Sequence, residues 1–283
     1  MKILIVGGQG QLGRALEVTL RHHDLQLCGH GDLDIVDQGA VLRMIDSLVP
    51  ELVINTAGFN DVDAAERRVK DAWGVNALGP HNLAVATARA GIPIMHFSTD
   101  CVFDGTLGRP YTENDKPHPI SIFGATKLEG EIAVADANPR HYIIRTAWPF
   151  HESGRNLLNR MIAQALDGEL AVLDEFSSPT YVTHLARAVA DIIASPPVFG
   201  VRHLAGGGTA SLFEMVDLAL KGLGVEARLK RIPRTESTIG ARRPAFSPLM
   251  SIREPRFELP AWQLGMANFV AASRFYNGSL KAS

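Results

Sequence analysis

Lys2-Ile3-Leu4-Ile5-Val6-Gly7-Gly8-Gln9-Gly10-Gln11-Leu12-Gly13 decides how the rest of the chain is read. The first five residues, apolar after Lys2, predict a buried strand, and Gln11–Arg21 carries helical apolar spacing through Leu12, Ala15, Leu16 and Val18. Between them, Gly7 permits a tight turn, Gly10 lets a backbone approach a pyrophosphate, and Gly13 lets the helix pack close to the strand. Gln11 and Leu12 open the helix, whose free N–H groups and partial positive charge suit phosphate. Strand, glycine turn and amphipathic helix together predict a dinucleotide site.

Working outward, the same rhythm repeats. Leu25–Cys28, Leu52–Asn55 and Ile92–Phe97 read as strands, while Val41–Leu48 and the alanine-rich Ala72–Ala90, stopped by Gly91, read as helices. Strands that are apolar throughout imply a parallel sheet covered on both faces. The predicted fold is α/β, a Rossmann doubly wound parallel sheet over residues 1–150, to which later segments can add. Residues 151–283 are expected to form a smaller part, mainly substrate-binding. There Asn156–Leu166, Leu185–Ala194 and Leu212–Leu223 read as helices and Val201–Ala205 as a strand. Six basic residues in Arg228–Arg243 read either as a solvated loop or as a rim attracting a diphosphate.

Composition narrows the partners. The chain has 283 residues, 46% hydrophobic, with 28 Lys+Arg against 30 Asp+Glu; the resulting charge of −2 gives no footprint for nucleic acid. No apolar run has the roughly 18 residues of a membrane span, and the opening stretch is too short for a signal peptide. Two distant cysteines, Cys28 and Cys101, match neither a disulfide framework nor a zinc spacing. The expected setting is cytoplasmic, with a homodimer left open. His22-His23 are expected to point apart on the surface, and Asp61, Asp63 and Glu66 to serve a loop and a helix start, so no metal site is assigned. A Rossmann acid that holds the ribose 2′-hydroxyl comes about 20 residues past the turn. Here Cys28-Gly29-His30-Gly31-Asp32 has no acid at the strand end, and His30 is placed to face a 2′-phosphate. NADP or NAD is the expected cofactor, with NADP favoured.

Further segments carry a family resemblance. The glycine turn and Ile54–Glu66 resemble those of extended short-chain dehydrogenases. Ser98-Thr99-Asp100-Cys101-Val102-Phe103-Asp104-Gly105 is similar to the hallmark of dTDP-4-dehydrorhamnose reductases. Pro110–Asp115, Gly124–Glu131, Arg145–Trp148, Ser178–Tyr181 and Arg242–Pro244 match the same family in order. The resemblance implies NAD(P)-dependent reduction of a nucleotide-linked 4-keto-6-deoxy sugar. It implies that Thr99 bonds the substrate oxygen and that Lys127 binds the nicotinamide ribose and lowers a neighbouring phenol's pKa. Asp34 and Ile35 would lie at the adenine half, and Ala57, Gly58 and Phe59 at the nicotinamide half. Asp100, Cys101 and Trp148 would lie beside the sugar, Cys101 standing where many relatives carry tyrosine.

One departure bears on catalysis. The family pattern is Tyr-x-x-x-Lys, and this chain reads Phe123-Gly124-Ala125-Thr126-Lys127. Positions 123 and 127 share a helix face one turn apart, but phenylalanine has no proton to give. None of Tyr111, Tyr142, Tyr181 and Tyr276 has a lysine four residues later. General acid catalysis contributes about 10² to 10⁴-fold, so reduction is expected to be impaired with cofactor binding spared. Three accounts stay open: a variant disabled to trap a complex, a natural homologue whose proton comes from elsewhere, such as water held by Thr99, or a silent NAD(P)-binding regulatory protein.

Overall fold

The computed structural model describes residues 1–232 and 240–281, with side chains of the last helix to residue 274. Arg234, Glu236 and the Tyr276 side chain lie outside them. Six strands form the central sheet: β1 (Lys2–Val6), β2 (Asp24–Cys28), β3 (Leu52–Asn55), β4 (Ile94–Thr99), β5 (His141–Thr146) and, from much later in the chain, Gly200–His203. Their spatial order is 200–203, β5, β4, β3, β1, β2, every pair parallel. The chain runs from β1 to one side and returns to the other at β3. The β1/β3 boundary is therefore the switch point, beyond whose carboxyl ends such sheets open a ligand crevice.

Each crossover is helical, as parallel pairing requires. Helix α1 (Gln11–Thr19) packs Ala15 and Leu16 against Ile3, Ile5 and Ile54 on one face of the sheet. On the other face, α2 (Gln38–Leu48) contributes Val41 and Ile45 to a core with Leu4, Val6 and Val53. Asp37 caps α2 by accepting from the Ala40 N–H at 3.0 Å, and Asp61 caps α3 (Val62–Arg67) likewise at 2.8 Å.

The helix read over Ala72–Ala90 is corrected to three pieces. They are α4 (Val69–Trp73), a π-type turn at Gly74–Leu78 and α5 (Gly79–Arg89). Pro80 explains the break, because it has no N–H to offer the Asn76 carbonyl. That carbonyl lies against Gly130 of α6 (Ile122–Ala137), where no Cβ would fit. At the far end Gly91 takes φ +70°, the left-handed conformation expected just past a helix.

After β5 come β6 (Pro149–Phe150), α7 (Leu157–Leu166), β7 (Glu169–Leu173), β8 (Phe176–Ser177), β9 (Thr180–Tyr181) and α8 (Val182–Ala194). The sheet strand Gly200–His203 is β10, followed by β11 (Ala210–Ser211), α9 (Leu212–Leu223), β12 (Arg228–Ile232) and α10 (Trp262–Lys281). Phe150, Leu158, Met215, Trp262 and Phe269 anchor a core of their own. Helix α8 instead joins the sheet core through Val182, Leu185 and Val189. The solvated-loop reading of Arg228–Arg243 fails over 228–232, which pairs with β7 as a parallel strand. There Arg231 lies 3.4 Å from Asp174, and beyond it Arg243 lies 2.8 Å from Asp63. His22 and His23 do not point apart, since their ring centroids are 4.2 Å from each other.

Candidate active site

The glycine turn sits at the switch point because nothing larger fits. Gly7 has φ +79°, and a Cβ there would lie 2.6 Å from the Ala57 nitrogen. At Gly13 a Cβ would lie 2.5 Å from the Gly8 Cα, so the α1–β1 approach needs both glycines. Gly10 differs: its Cβ would meet only the Gly7 carbonyl, at 3.2 Å. As the first residue before α1, Gly10 brings no capping side chain, and the first turn holds no acid. The turn therefore presents uncapped N–H groups and a clear face, which fits a pyrophosphate. Gln11 ties this turn to the later part of the chain, donating to the Arg155 carbonyl at 3.1 Å and accepting from Asn156 at 3.0 Å.

Next to the turn, Asp32 folds back to accept the Gly29 N–H at 2.8 Å, while His30 is exposed. Gln9 covers Gly29, its carboxamide filling the place of a Cβ. Two buried asparagines, overlooked in the sequence, hold the next two loops. Asn82 donates to the Ile35 and Val36 carbonyls at 2.9 and 3.1 Å, fixing the loop that carries Asp34. Asn76, turned inward by the π-type turn, grips Phe59 from both sides: it accepts the Phe59 N–H at 2.8 Å and donates to its carbonyl at 3.1 Å. The periodicity of a supposed straight helix concealed Asn76, and Pro80 was the signal.

Ala57 is held from below. Its N–H donates to Asn55 Oδ1 at 3.1 Å, and Asn55 Nδ2 donates to His96 Nδ1 at 3.1 Å. That bond puts the His96 proton on Nε2, which is buried and has no partner among the described residues. Burial, and secondarily the charge of Lys127, push His96 well below the ordinary histidine range.

Thr99, the last residue of β4, turns the chain into a 3₁₀ turn at Asp100–Val102 by accepting the Cys101 N–H at 3.2 Å. Asp100 is 2% exposed and stands behind Thr99. Its Oδ1 accepts from Thr99 Oγ1 at 3.1 Å, and its Oδ2 accepts from Ser177 at 2.8 Å and Ser247 at 2.5 Å. Burial raises its pKa and these three hydroxyls oppose the rise. The Cys101 thiol is pushed far up by burial and then by Asp100. Beside Thr99 in the register lies Thr146, whose hydroxyl is buried without a partner among the described residues.

Helix α6 begins at Ser121, which caps it by accepting the Gly124 N–H at 3.1 Å. Gly124 allows α6 to rest on the Cys101 carbonyl. As a result Phe123, 6% exposed, packs with Phe59, Val62 and Cys101. One turn on, Lys127 is 4% exposed and donates to the Phe97 carbonyl at 2.5 Å. Burial brings its pKa down to about 8 against the opposing pull of Glu131. Glu131 makes a two-pronged bond with Arg145, at 2.9 and 2.6 Å, and accepts from Ser98 at 2.5 Å. Trp148 holds φ +39°, rare for a bulky residue, as the chain leaves β5. Among the described residues no three His, Cys, Asp or Glu side chains could hold a metal ion, and no helix is long and apolar enough to cross a membrane.

A parallel sheet carrying a glycine turn, a Thr99 hydroxyl and a buried Lys127 at its carboxyl edge is a Rossmann-type α/β fold laid out for a dinucleotide. The chain belongs to the family described as RmlD substrate binding domain, whose model matches residues 1–275. It is 34% identical over 282 residues to a dTDP-4-dehydrorhamnose reductase of Sinorhizobium fredii, covering 93% of this chain and 94% of that one. Among solved structures it resembles a dTDP-4-dehydrorhamnose reductase from Clostridium acetobutylicum, with TM-score 0.93, 33% identity, and 97% and 100% of the two chains covered. It also resembles the Bacillus anthracis reductase solved with NADP, with TM-score 0.91, 28% identity, and 96% and 99% covered.

Proposed function

We propose that the protein is an NAD(P)-dependent reductase of a nucleotide-linked 4-keto-6-deoxy sugar, of the extended short-chain dehydrogenase type, slowed by Phe123. What supports this reading is Thr99 closing β4, Lys127 of α6 bonded to Phe97 of the same strand, and an uncapped glycine turn after β1 of the same sheet, in a chain matched to the family over residues 1–275. When bound, the nicotinamide supplies a hydride. Gly7, Gly10, Gln11, Leu12 and Gly13 cradle the pyrophosphate, and His30, Asp34 and Ile35 line the adenosine end. Ala57, Gly58 and Phe59 border the nicotinamide. Lys127 orients the ribose, and Thr99 bonds the ketone oxygen beside Cys101 and Trp148.

Residues 1–150 mainly hold the cofactor in this scheme, and residues 151–283 mainly the sugar. NADP is favoured because Asp32 is turned back onto Gly29, leaving exposed His30 at the rim. Two unpaired cysteines and a near-neutral charge support a cytoplasmic setting without nucleic acid. Phe123 also favours a second reading, a silent cofactor-binding regulatory protein. Turnover of dTDP-4-dehydrorhamnose with NADPH and with NADH tests both: slow but saturable reduction supports the reductase. Tight NADP binding with no reduction of this or related keto-sugars supports the second reading.

A further inference from the structure

We propose that Asp100, acting through the Thr99 hydroxyl, supplies the proton that Phe123 cannot give. The proposal rests on the ketone-reduction reading above. Thr99 Oγ1 and Asp100 Oδ1 are 3.1 Å apart, and Asp100 is 2% exposed. No other carboxyl is bonded to Thr99 among the described residues. On its far side the carboxyl is held by Ser177 and Ser247, at 2.8 and 2.5 Å. This makes a chain of hydroxyl, carboxyl and hydroxyls leading from the end of β4 to the loop of Ser247.

Hydride addition to the carbonyl carbon turns the C=O π pair into an alkoxide lone pair. With Asp100 protonated on Oδ1, the 3.1 Å Thr99–Asp100 bond runs in reverse, Oδ1–H donating to Thr99 Oγ1 and the Thr99 O–H turned to the ketone. The alkoxide takes the Thr99 proton, and Thr99 regains one from the Asp100 carboxyl. Asp100 is left as a carboxylate, held by the Ser177 and Ser247 hydroxyls until solvent returns its proton. The net change is ketone plus reduced cofactor plus one proton to alcohol plus oxidised cofactor. Burial favours the protonated acid, and the hydroxyls limit that preference. The titratable and charged groups on the elements packed around this turn are Cys101 beside it, Lys127 and Glu131 on α6, Arg145 on β5, Glu175 ahead of β8, and Arg243 near Cys101. Asp100 acts here as a positioning and proton-holding residue behind Thr99.

The test combines infrared titration of the protein alone with the pH profile of dTDP-4-dehydrorhamnose reduction by NADPH. A protonated-carboxyl band should titrate in the parent protein, vanish in Asp100→Asn and titrate at higher pH in Ser247→Ala. Reduction should fall at least tenfold in Asp100→Asn. The pH at which the rate declines should move upward in Ser247→Ala, because a hydrogen bond favouring the carboxylate has been removed. Ser247→Ala keeps the carboxyl, so the test survives if Asp100→Asn does not fold. Reduction with an unmoved profile in Ser247→Ala, or no Asp100-dependent band, overturns the proposal alone. No reduction by the parent protein and none by Ser247→Ala, taken together, overturns the reductase reading and the proposal with it.

Discussion

Lys127 donates to the Phe97 carbonyl at 2.5 Å from a position only 4% exposed, so an ammonium is buried at the carboxyl edge of the sheet. Its pKa, brought by burial to about 8 from an ordinary 10.5, makes it a stability liability at neutral pH. Below pH 8 the lysine is charged in both folded and unfolded chains, and the fold bears the cost of burying it. Between about 8 and 10.5 the folded chain has released its proton and the unfolded chain has not, so stability rises with pH. Lys127→Met should raise stability at pH 7 by about 1–3 kcal/mol and flatten that rise, while weakening NADP binding. Urea denaturation at pH 7 and 10 beside calorimetry of NADP checks both; a destabilised variant at pH 7 contradicts the account.

Glu131 and Arg145 are 4% and 5% exposed and bonded at two points. Glu131→Gln leaves a buried guanidinium without its charge partner, and should lower stability by about 3–5 kcal/mol. A loss under 1 kcal/mol in chemical denaturation would mean that water already reaches the pair.

Gly10 separates folding from binding. Its Cβ position is open apart from the Gly7 carbonyl, and its φ of −74° suits any residue. Gly10→Val should keep the thermal midpoint within a few degrees and abolish NADP binding by calorimetry. Gly7→Val, with φ +79° and no room, should unfold the chain. Retained affinity in Gly10→Val would remove the pyrophosphate from this turn.

His30→Asp places a carboxylate at the rim that Asp32 has vacated. NADP affinity should fall by about tenfold through charge repulsion, and NAD affinity should hold or rise. Equal changes for both cofactors would put the choice elsewhere.

Much of this was legible in the residues because the signals were local. Buried strands such as Leu52–Asn55 are apolar runs, and the helix Leu212–Leu223 appears at the bounds its periodicity predicts. The family motifs stand in order along the sequence, and the family model matches residues 1–275. What stayed hidden depends on distant partners. Asn76 looked like a helix residue until Pro80 and Gly130 displaced it toward Phe59. Arg228–Ile232 looked like a charged loop because β7, its pairing strand, is itself marked only by Leu170 and Val172 buried along Glu169–Leu173. Asp100 matched a motif, but its bonds to Ser177 and Ser247 join residues 77 and 147 positions away.

The site proposed as a reductase has phenylalanine, with no hydroxyl, at position 123. Phe123 already occupies the position one turn before Lys127, packed with Cys101 and Phe59. A phenol oxygen added there acts mainly in the transition state, so the ground state should change little. Single-turnover reduction of dTDP-4-dehydrorhamnose by NADPH, compared between the parent protein and Phe123→Tyr, measures this directly. The predicted result is hydride transfer faster by on the order of 10²-fold with NADP affinity unchanged. No gain in Phe123→Tyr would contradict the account.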